Sequence, residues 1–315
     1  MIGFSADTAS FWQSLQERFV IDLKIGEGFT ALVDFMREHF GLLFDAIAAT
    51  ISFVADNLTI FFNFLPAPLV FGLLAVLALW RVGWRFALFV LVALYVVMSM
   101  GLWPESMDTL GLVIAATLAA LGVGLPTGIA MAKSDMLQAI VRPVLDFMQT
   151  LPAFVYLIPA VIFFGTGRVP GTIATVVFAM PPCVRLMNLG IRQVPVENVE
   201  AGRAFGCNGA QLLFKVELPL ALPSIMAGIN QTIMLALSMV VIASMIGAGG
   251  LGDPVLAGIQ QLRLGIGFEG GLGVVILAII LDRLTQSFGQ RNKRGAGLLT
   301  RLKTFFSRNG KADAT

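Results

Sequence analysis

The chain contains a series of long apolar runs separated by short stretches that carry charged residues. A helix needs about 20 largely apolar residues to cross a membrane, and the charges mark where each run ends. The sequence therefore predicts about seven transmembrane helices, at residues 65–81, 85–105, 108–133, 146–168, 168–185, 217–253 and 264–281. The sixth run is longer than one crossing needs, and Asp282 and Arg283 are expected to end the seventh. We expect an all-α integral membrane protein, built as a polytopic helical bundle.

Two segments flank this predicted transmembrane domain of residues 65–289. Residues 1–64 form an N-terminal extension, in which apolar residues recur at helical spacing but are interrupted by Asp45, Asp56, Asn57 and Asn63. That pattern favours an amphipathic helix at the membrane interface, with an eighth transmembrane helix as the alternative. Residues 290–315 are basic and polar, and they are expected to form a cytoplasmic tail beside anionic headgroups.

Proline and glycine mark special positions inside the predicted spans. A proline within a span frees a backbone carbonyl, which neighbouring groups must then satisfy. Such prolines are Pro126, Pro152, Pro159, Pro181 and Pro182. Small residues four positions apart suit close packing of helices, and this spacing occurs at Gly124 and Gly128 and at Gly267 and Gly271.

The composition agrees with a membrane protein and also predicts its orientation. Of the 315 residues 57% are hydrophobic and 13% charged, whereas soluble domains carry about 25% charged residues. The mean hydropathy is +0.87. Cytoplasmic connections are enriched in Lys and Arg. An N-terminus outside and a C-terminus inside place 16 of the 21 Lys and Arg residues inside, and leave only Arg18, Lys24, Arg37, Arg168 and Arg263 outside.

The sequence offers little for catalysis or for a cofactor. Cys183 and Cys207 are the only cysteines and His39 is the only histidine, so we expect free thiols and no metal site. No Ser/His or Cys/His pair and no paired carboxylates occur within the spans. The sequence has no GxxxxGK[ST] loop, and its nearest match, residues 165–172, lacks the lysine. We therefore expect a chain that is not an enzyme, binds no nucleotide or nucleic acid itself, and needs energy from another source.

The longest inner connection, residues 195–223, is too polar to lie in lipid and too long for a simple turn. It predicts two short helical stretches, at residues 199–205 and 210–216. Gly206, Asn208 and Gly209 separate them, since glycine and asparagine accept positive φ at low cost. Pro219 and Pro223 then begin the next span.

Residues 195–223 also resemble a known motif. The spacing of Glu200, Ala201, Gly202, Gly206, Val216, Leu218 and Pro219 is similar to the "EAA" signature of binding-protein-dependent ABC importer permeases. Gly202 stands where alanine is usual, and Val216 stands where isoleucine is usual. Residues 143–159, 222–252 and 274–286 further resemble the permease subunit of glycine betaine/proline betaine importers. The resemblance extends over about residues 20–290.

The resemblance implies a type I ABC importer fold and a defined set of partners. These are a homodimer of this chain, two copies of a cytoplasmic ATPase that binds ATP and Mg²⁺, and a periplasmic substrate-binding protein, at the bacterial inner membrane. It also implies that residues 195–223, called the coupling loop from here on, sit in a groove of the ATPase. Glu200 and Arg203 are expected to fix the loop or its docking; an ordinary pair on the helix surface is the alternative.

Several polar and aromatic residues are candidates for lining a substrate pathway. Polar side chains at membrane depth need partners, and aromatic faces bind quaternary ammonium groups. The candidates are Gln149, Phe154, Tyr156, Asn230, Gln231 and Ser238. Hydrogen bonds between helices explain the polar candidates as well as a pathway does, and packing in the core or at the interface explains the aromatic ones.

Two other functions remain as alternatives at this point. An ion-coupled secondary transporter requires ionisable residues in the middle of its spans, where only Glu269 is arguable. An osmotic channel would need no ATPase. The predicted function is that of an ABC importer permease for glycine betaine, proline betaine or a related quaternary amine.

Overall fold

A computed structural model describes residues 25–289. The predicted tail of residues 290–315 and the first part of the N-terminal extension lie outside this range. The described residues fall into two units, divided between Ala46 and Ile47. All regular elements in the described range are helical, as the apolar runs predict.

The helices follow one another with short connections. In chain order they are α1 (Ile25–Phe64), α2 (Ala67–Arg81), α3 (Trp84–Ser99), α4 (Trp103–Lys133), α5 (Asp135–Thr150), a 3₁₀ turn (Ala153–Tyr156), α6 (Leu157–Phe164), α7 (Arg168–Arg192), α8 (Val196–Ala204), α9 (Gly209–Leu212), a π-helical segment (Leu213–Glu217), α10 (Leu218–Ser244), α11 (Gly252–Gln260) and α12 (Leu264–Gly289).

Five helical stretches in the described range are long and apolar enough to cross a membrane. They are α1, α4, α7, α12 and the stretch Gly209–Ser244 that contains α10. The predicted first and second spans form α2 and α3, which have only 15 and 16 residues. At 1.5 Å per residue, each is about 22–24 Å long and so shorter than a hydrocarbon core of about 30 Å.

The N-terminal extension is helical from Ile25 to Phe64, with a local departure from helical geometry at Phe40. Its polar residues do not end the helix. Asp56 accepts a hydrogen bond from Ser52, and Asn57 donates one to the carbonyl of Phe53. Both partners lie one turn earlier, so these side chains are satisfied locally along the helix.

The predicted fourth span is broken into two helical parts. Residues 146–168 are divided between α5 and the 3₁₀ turn with α6, and these two parts are bent by 110°. The reason lies at Leu151 and Pro152, which are both extended with ψ near 135°. Proline disfavours helical geometry in the residue before it and has no backbone N–H to continue the helix.

The centre of the bundle is α7, which packs against α4 on one side and α10 on the other. Glycines let α7 lie close to both α4 and α10. A Cβ atom at Gly128 of α4 would lie 2.6 Å from the Cβ of Met187, and one at Gly190 of α7 would lie 2.8 Å from the Cβ of Ser224. The predicted packing role of Gly128 is therefore confirmed.

The last two predicted spans are helical, but their helices end at other residues than predicted. Most of residues 217–253 form α10, which lies in a candidate span, and the chain then turns through Gly247, Gly249 and Gly250, all at positive φ, into the short α11. Helix α12 continues to Gly289, so Asp282 and Arg283 do not end the helix itself. A carboxyl group therefore lies inside a candidate transmembrane helix.

Candidate functional site

The coupling loop consists of two helical arms joined by a tight turn. Helix α8 ends in a Schellman motif, in which the N–H of Gly206 donates to the carbonyl of Arg203 and the N–H of Cys207 to that of Gly202, at 2.9 and 3.1 Å. Gly206 has φ +78°, which a residue with a side chain rarely adopts. The predicted break between two short helices is confirmed.

A capping box begins the second arm. The side chain of Asn208 accepts from the N–H of Gln211 at 2.8 Å, and the side chain of Gln211 accepts from the N–H of Asn208 at 3.0 Å. Two backbone donors at the start of α9 are satisfied in this way. The spacing Asn-x-x-Gln in the sequence was a signal for this capping box, in addition to the predicted break at Asn208.

The two arms pack on each other through a buried leucine. Leu212 is buried, and its Cδ1 atom would lie 2.8 Å from a Cβ at Gly202. Val216 lies on the same side, at 3.4 Å. Gly202, which departs from the usual alanine, thus lets the arms approach closely and makes the turn a compact unit.

The outer surface of this unit carries exposed apolar and charged side chains. Phe205 is 89% exposed, and Val196 and Phe214 are also well exposed. Glu200 and Arg203 are exposed, and in the described part of the chain no ion pair joins them. The alternative of a pair on the helix surface therefore finds no support, and the surface has the composition of a docking face.

Ion pairs hold the bundle together at the end nearest the coupling loop. Lys133, the last residue of α4, pairs with Glu217 of the π-helical segment. Arg192, the last residue of α7, contacts Asp135 at 2.7 Å and donates to the carbonyl of Met131 at 2.9 Å. Sequence reasoning missed Glu217, although a lone acidic residue within the run from Leu212 to Leu222 was a signal.

The opposite end of α7 has a second charged cluster. Arg168 lies 3.5 Å from Asp108 and 3.9 Å from Asp56. Asn63 donates to Asp108 at 2.8 Å. Burial raises the pKa of the nearby Asp253 carboxyl above its usual range, and the charges of Glu105 and Asp108 raise that pKa further. Charged groups thus occupy both ends of the bundle, with the apolar core between them.

The aromatic pathway candidates occupy different environments. Tyr156 is buried; its hydroxyl donates to the carbonyl of Met148, and its ring packs edge-on against Phe178. Phe154 and Gln149 are exposed on the surface of this chain. The structure therefore assigns Tyr156 to the packing of the 3₁₀ turn on α7.

Asn230 takes part in a hydrogen-bond network between helices. Its amide donates to Asp282 of α12 at 2.8 Å, and Gln286 donates to the same carboxylate oxygen at 2.7 Å. Asn230 and Gln231 line a cavity of about 500 Å³ together with Gln286. Ser238 instead bonds the carbonyl of Met234 in its own helix. Sequence reasoning missed Asp282 because it placed this residue at a helix end.

The sequence matches a known protein family and several named relatives. Residues 124–294 match the family described as "Binding-protein-dependent transport system inner membrane component". The chain is 48% identical over 266 residues to the glycine betaine/proline betaine transport system permease protein ProW of Escherichia coli (strain K12), which covers 84% of this chain and 75% of that protein. It is 46% identical to the glycine betaine transport system permease protein OpuAB of Bacillus subtilis (strain 168), over 83% of this chain and 93% of that protein.

Solved structures agree on the fold. A chain of the MetNI methionine ABC transporter, in inward-facing conformations, superposes with a TM-score of 0.55 at 21% identity and covers 62% of this chain and 98% of that chain. The family match over residues 124–294 includes the coupling loop and the helices around it. The chain therefore belongs to the family of binding-protein-dependent transport system inner membrane components, as a multi-pass permease subunit of an ABC importer whose ATPase activity resides in a separate subunit.

Proposed function

We propose that this permease imports glycine betaine, proline betaine or a related quaternary amine. The relatives carry the proposal, because proteins 46–50% identical to this chain are named as glycine betaine permeases from three bacteria. A relative 40% identical over 224 residues is named as a trimethylamine N-oxide permease. A fully methylated nitrogen is the group that all these solutes share.

We propose further that the coupling loop docks on the cytoplasmic ATPase. The observation that carries this role is a compact turn that exposes Phe205, Phe214, Glu200 and Arg203 at the end of the bundle where Lys133 and Arg192 lie. Ala201 belongs to the exposed surface of α8, whereas Leu218 and Pro219 begin α10 and connect the loop to the core. Closure of the ATPase dimer would then tilt the helices and open the pathway to alternate sides.

The same proposal includes the assembly and its orientation. Two copies of this chain would form the pathway, with two ATPase subunits inside and a substrate-binding protein outside. The N-terminus would be periplasmic and the C-terminus cytoplasmic, as the distribution of Lys and Arg favours. The last turns of α1 contact Asp108 and Arg168, at the end of the bundle opposite the coupling loop. These contacts support an interfacial position for this part of the extension.

Uptake by the reconstituted complex tests the proposed function. Proteoliposomes containing the permease and its ATPase, supplied with the binding protein and radiolabelled glycine betaine, should take up the solute only when ATP is present on the ATPase side. Ionophores that collapse the ion gradients should leave this uptake in place. Uptake that follows an ion gradient without ATP hydrolysis would instead indicate a secondary transporter, and calorimetry on the binding protein would identify the solute.

For the pathway we propose that the cavity beside Asn230 and Gln231 is the part used by the solute. We expect Gln231→Trp to fill this cavity of about 500 Å³ and to remove most uptake of glycine betaine while ATP hydrolysis continues. The matched control is Met234→Trp, which introduces the same side chain at an exposed position of the same helix that does not line this cavity. Normal uptake by Gln231→Trp would place the pathway elsewhere.

A further inference from the structure

Glu217 is a buried acidic residue at the point where the coupling loop joins the bundle. Its side chain is 7% exposed, and its carboxylate pairs with the ammonium of Lys133. A buried carboxylate loses its hydration, so it is retained only where a partner compensates the lost solvent. Lys133 is a suitable partner because it lies at the C-terminus of α4, where a helix favours positive charge.

This ion pair joins parts of the chain that are far apart in sequence. The two residues are separated by 84 positions. Among the described residues, it is the one side-chain hydrogen bond between the coupling loop and another helix. The backbone connects the loop to α7 and α10, but not to α4. Leu213 and Leu218 of the loop share an apolar cluster with Leu125, Ile129 and Ala132 of α4. The pair adds the one ionic contact between the loop and that helix among the described residues.

The geometry on both sides of the pair allows it to transmit movement. On the loop side, the arms form one unit through the contact between Gly202 and Leu212, and Glu217 ends a π-helical segment, a form that is often found at functional sites. On the other side, α4 is closely packed on α7 through Gly124 and Gly128. A displacement of the loop that pulls on Lys133 would thus reach the centre of the bundle.

The surroundings of Lys133 also provide a second position for its side chain. Lys133 is 43% exposed, unlike Glu217, and it borders a cavity of about 450 Å³ that Arg203 and Cys207 also line. The ammonium could become hydrated there, whereas the buried carboxylate would lose its partner, so separation of the pair needs work from the movement of the loop. A contact with two discrete arrangements can couple distant sites, whereas a uniformly rigid one cannot.

We propose that Lys133 and Glu217 are positioning residues, and that their ion pair passes the movement of the coupling loop to α4 during transport. The inference rests on the proposed docking of this loop on the ATPase. It predicts that loss of the pair uncouples ATP hydrolysis from uptake, while the loop still binds the ATPase. A contact that served only to stabilise the fold would change the amount of complex and not the uptake per ATP.

The experiment uses the complete importer in proteoliposomes with radiolabelled glycine betaine as the probe. Glu217→Gln and Lys133→Met each remove one charge with little change in shape, and the double variant leaves no unpaired charge behind. We expect each of the three to lower the uptake per ATP hydrolysed about tenfold. The double variant should lose no more than either single one, because all three lose the same contact. Lys133→Arg should keep most of the coupling.

Each outcome decides between the proposal and its alternatives. Normal coupling in the double variant overturns the proposal, as do losses that add between the single variants. Failure of the ATPase to co-purify overturns it too, since the pair would then serve docking. If the single variants accumulate poorly, the double variant alone decides. The matched control is Asp146→Asn, which breaks the ion pair with Arg185 between α5 and α7 and should leave the coupling unchanged. Wild-type uptake without ATP would be a failure of the proposed function and not of this inference.

Discussion

Replacement of Gly206 by valine is expected to reduce transport to background while the protein remains in the membrane. Gly206 has φ +78°, and a β-branched residue in this region of backbone space costs about 1–3 kcal/mol. No atom lies within 4 Å of the position that a Cβ would take, so the cost is in the backbone and not in a clash. The chain would relieve it by opening the Schellman turn, which separates the two arms of the coupling loop.

Two further variants test this explanation. Asparagine adopts positive φ more readily than other residues, so Gly206→Asn should retain most uptake. Gly209 also has open space around it but lies in α9 at negative φ, and Gly209→Ala should behave like the wild-type chain. Uptake, ATPase co-purification and the amount of permease in membranes should be measured together. Normal transport by Gly206→Val would show that the turn geometry is not required.

The second large effect is expected at Gly128, where valine should prevent accumulation of the folded protein. A Cβ there would lie 2.6 Å from the Cβ of Met187 and 2.8 Å from the backbone carbonyl oxygen of Val184. Neither atom can move unless α4 and α7 separate, and a side chain forced into such a site costs about 1–3 kcal/mol and occasionally more. This is a large part of a typical stability of about 5–15 kcal/mol.

Gly122 provides the matched control for this prediction. It lies on the same helix, α4, but no atom is within 4 Å of its Cβ position and it is exposed. Gly122→Val should therefore accumulate normally. The measurement is the amount of monodisperse protein extracted from membranes, together with its thermal unfolding midpoint. Equal amounts of the two variants would mean that the close contact between α4 and α7 does not limit stability.

Some features of this chain follow from local properties of the sequence. The cost of placing a charge in lipid fixes approximately where apolar runs begin and end. Six of the seven predicted spans begin within five residues of a helix start, but four of these end six to nine residues away from the helix end. The bend after Thr150 was also encoded locally, by Pro152, but prolines at 126, 143, 181 and 182 lie within continuous helices. Whether a proline ends a helix depends on what its neighbours supply, and that is not a local property.

Local sequence patterns could not predict which side chains pair with each other across helices. Asn230 was predicted to line a pathway or to bond a neighbouring helix, and it bonds Asp282, 52 positions away. Glu217 was not singled out, because nothing adjacent to it in the sequence indicates a lysine at position 133. Both contacts form because helix packing brings the carboxylates beside donors that can replace their lost hydration.

The sequence by itself determined that this chain is a helical membrane protein with a polar loop, because lipid excludes charge and because Gly206 allows a turn that other residues resist. That the loop is of the ABC importer type followed from its resemblance to the signature of that family. The tertiary structure decided which buried charges meet and how closely the helices approach. These outcomes depend on long-range packing, in which a missing side chain at Gly128 or a lysine far along the chain sets the position of its neighbours.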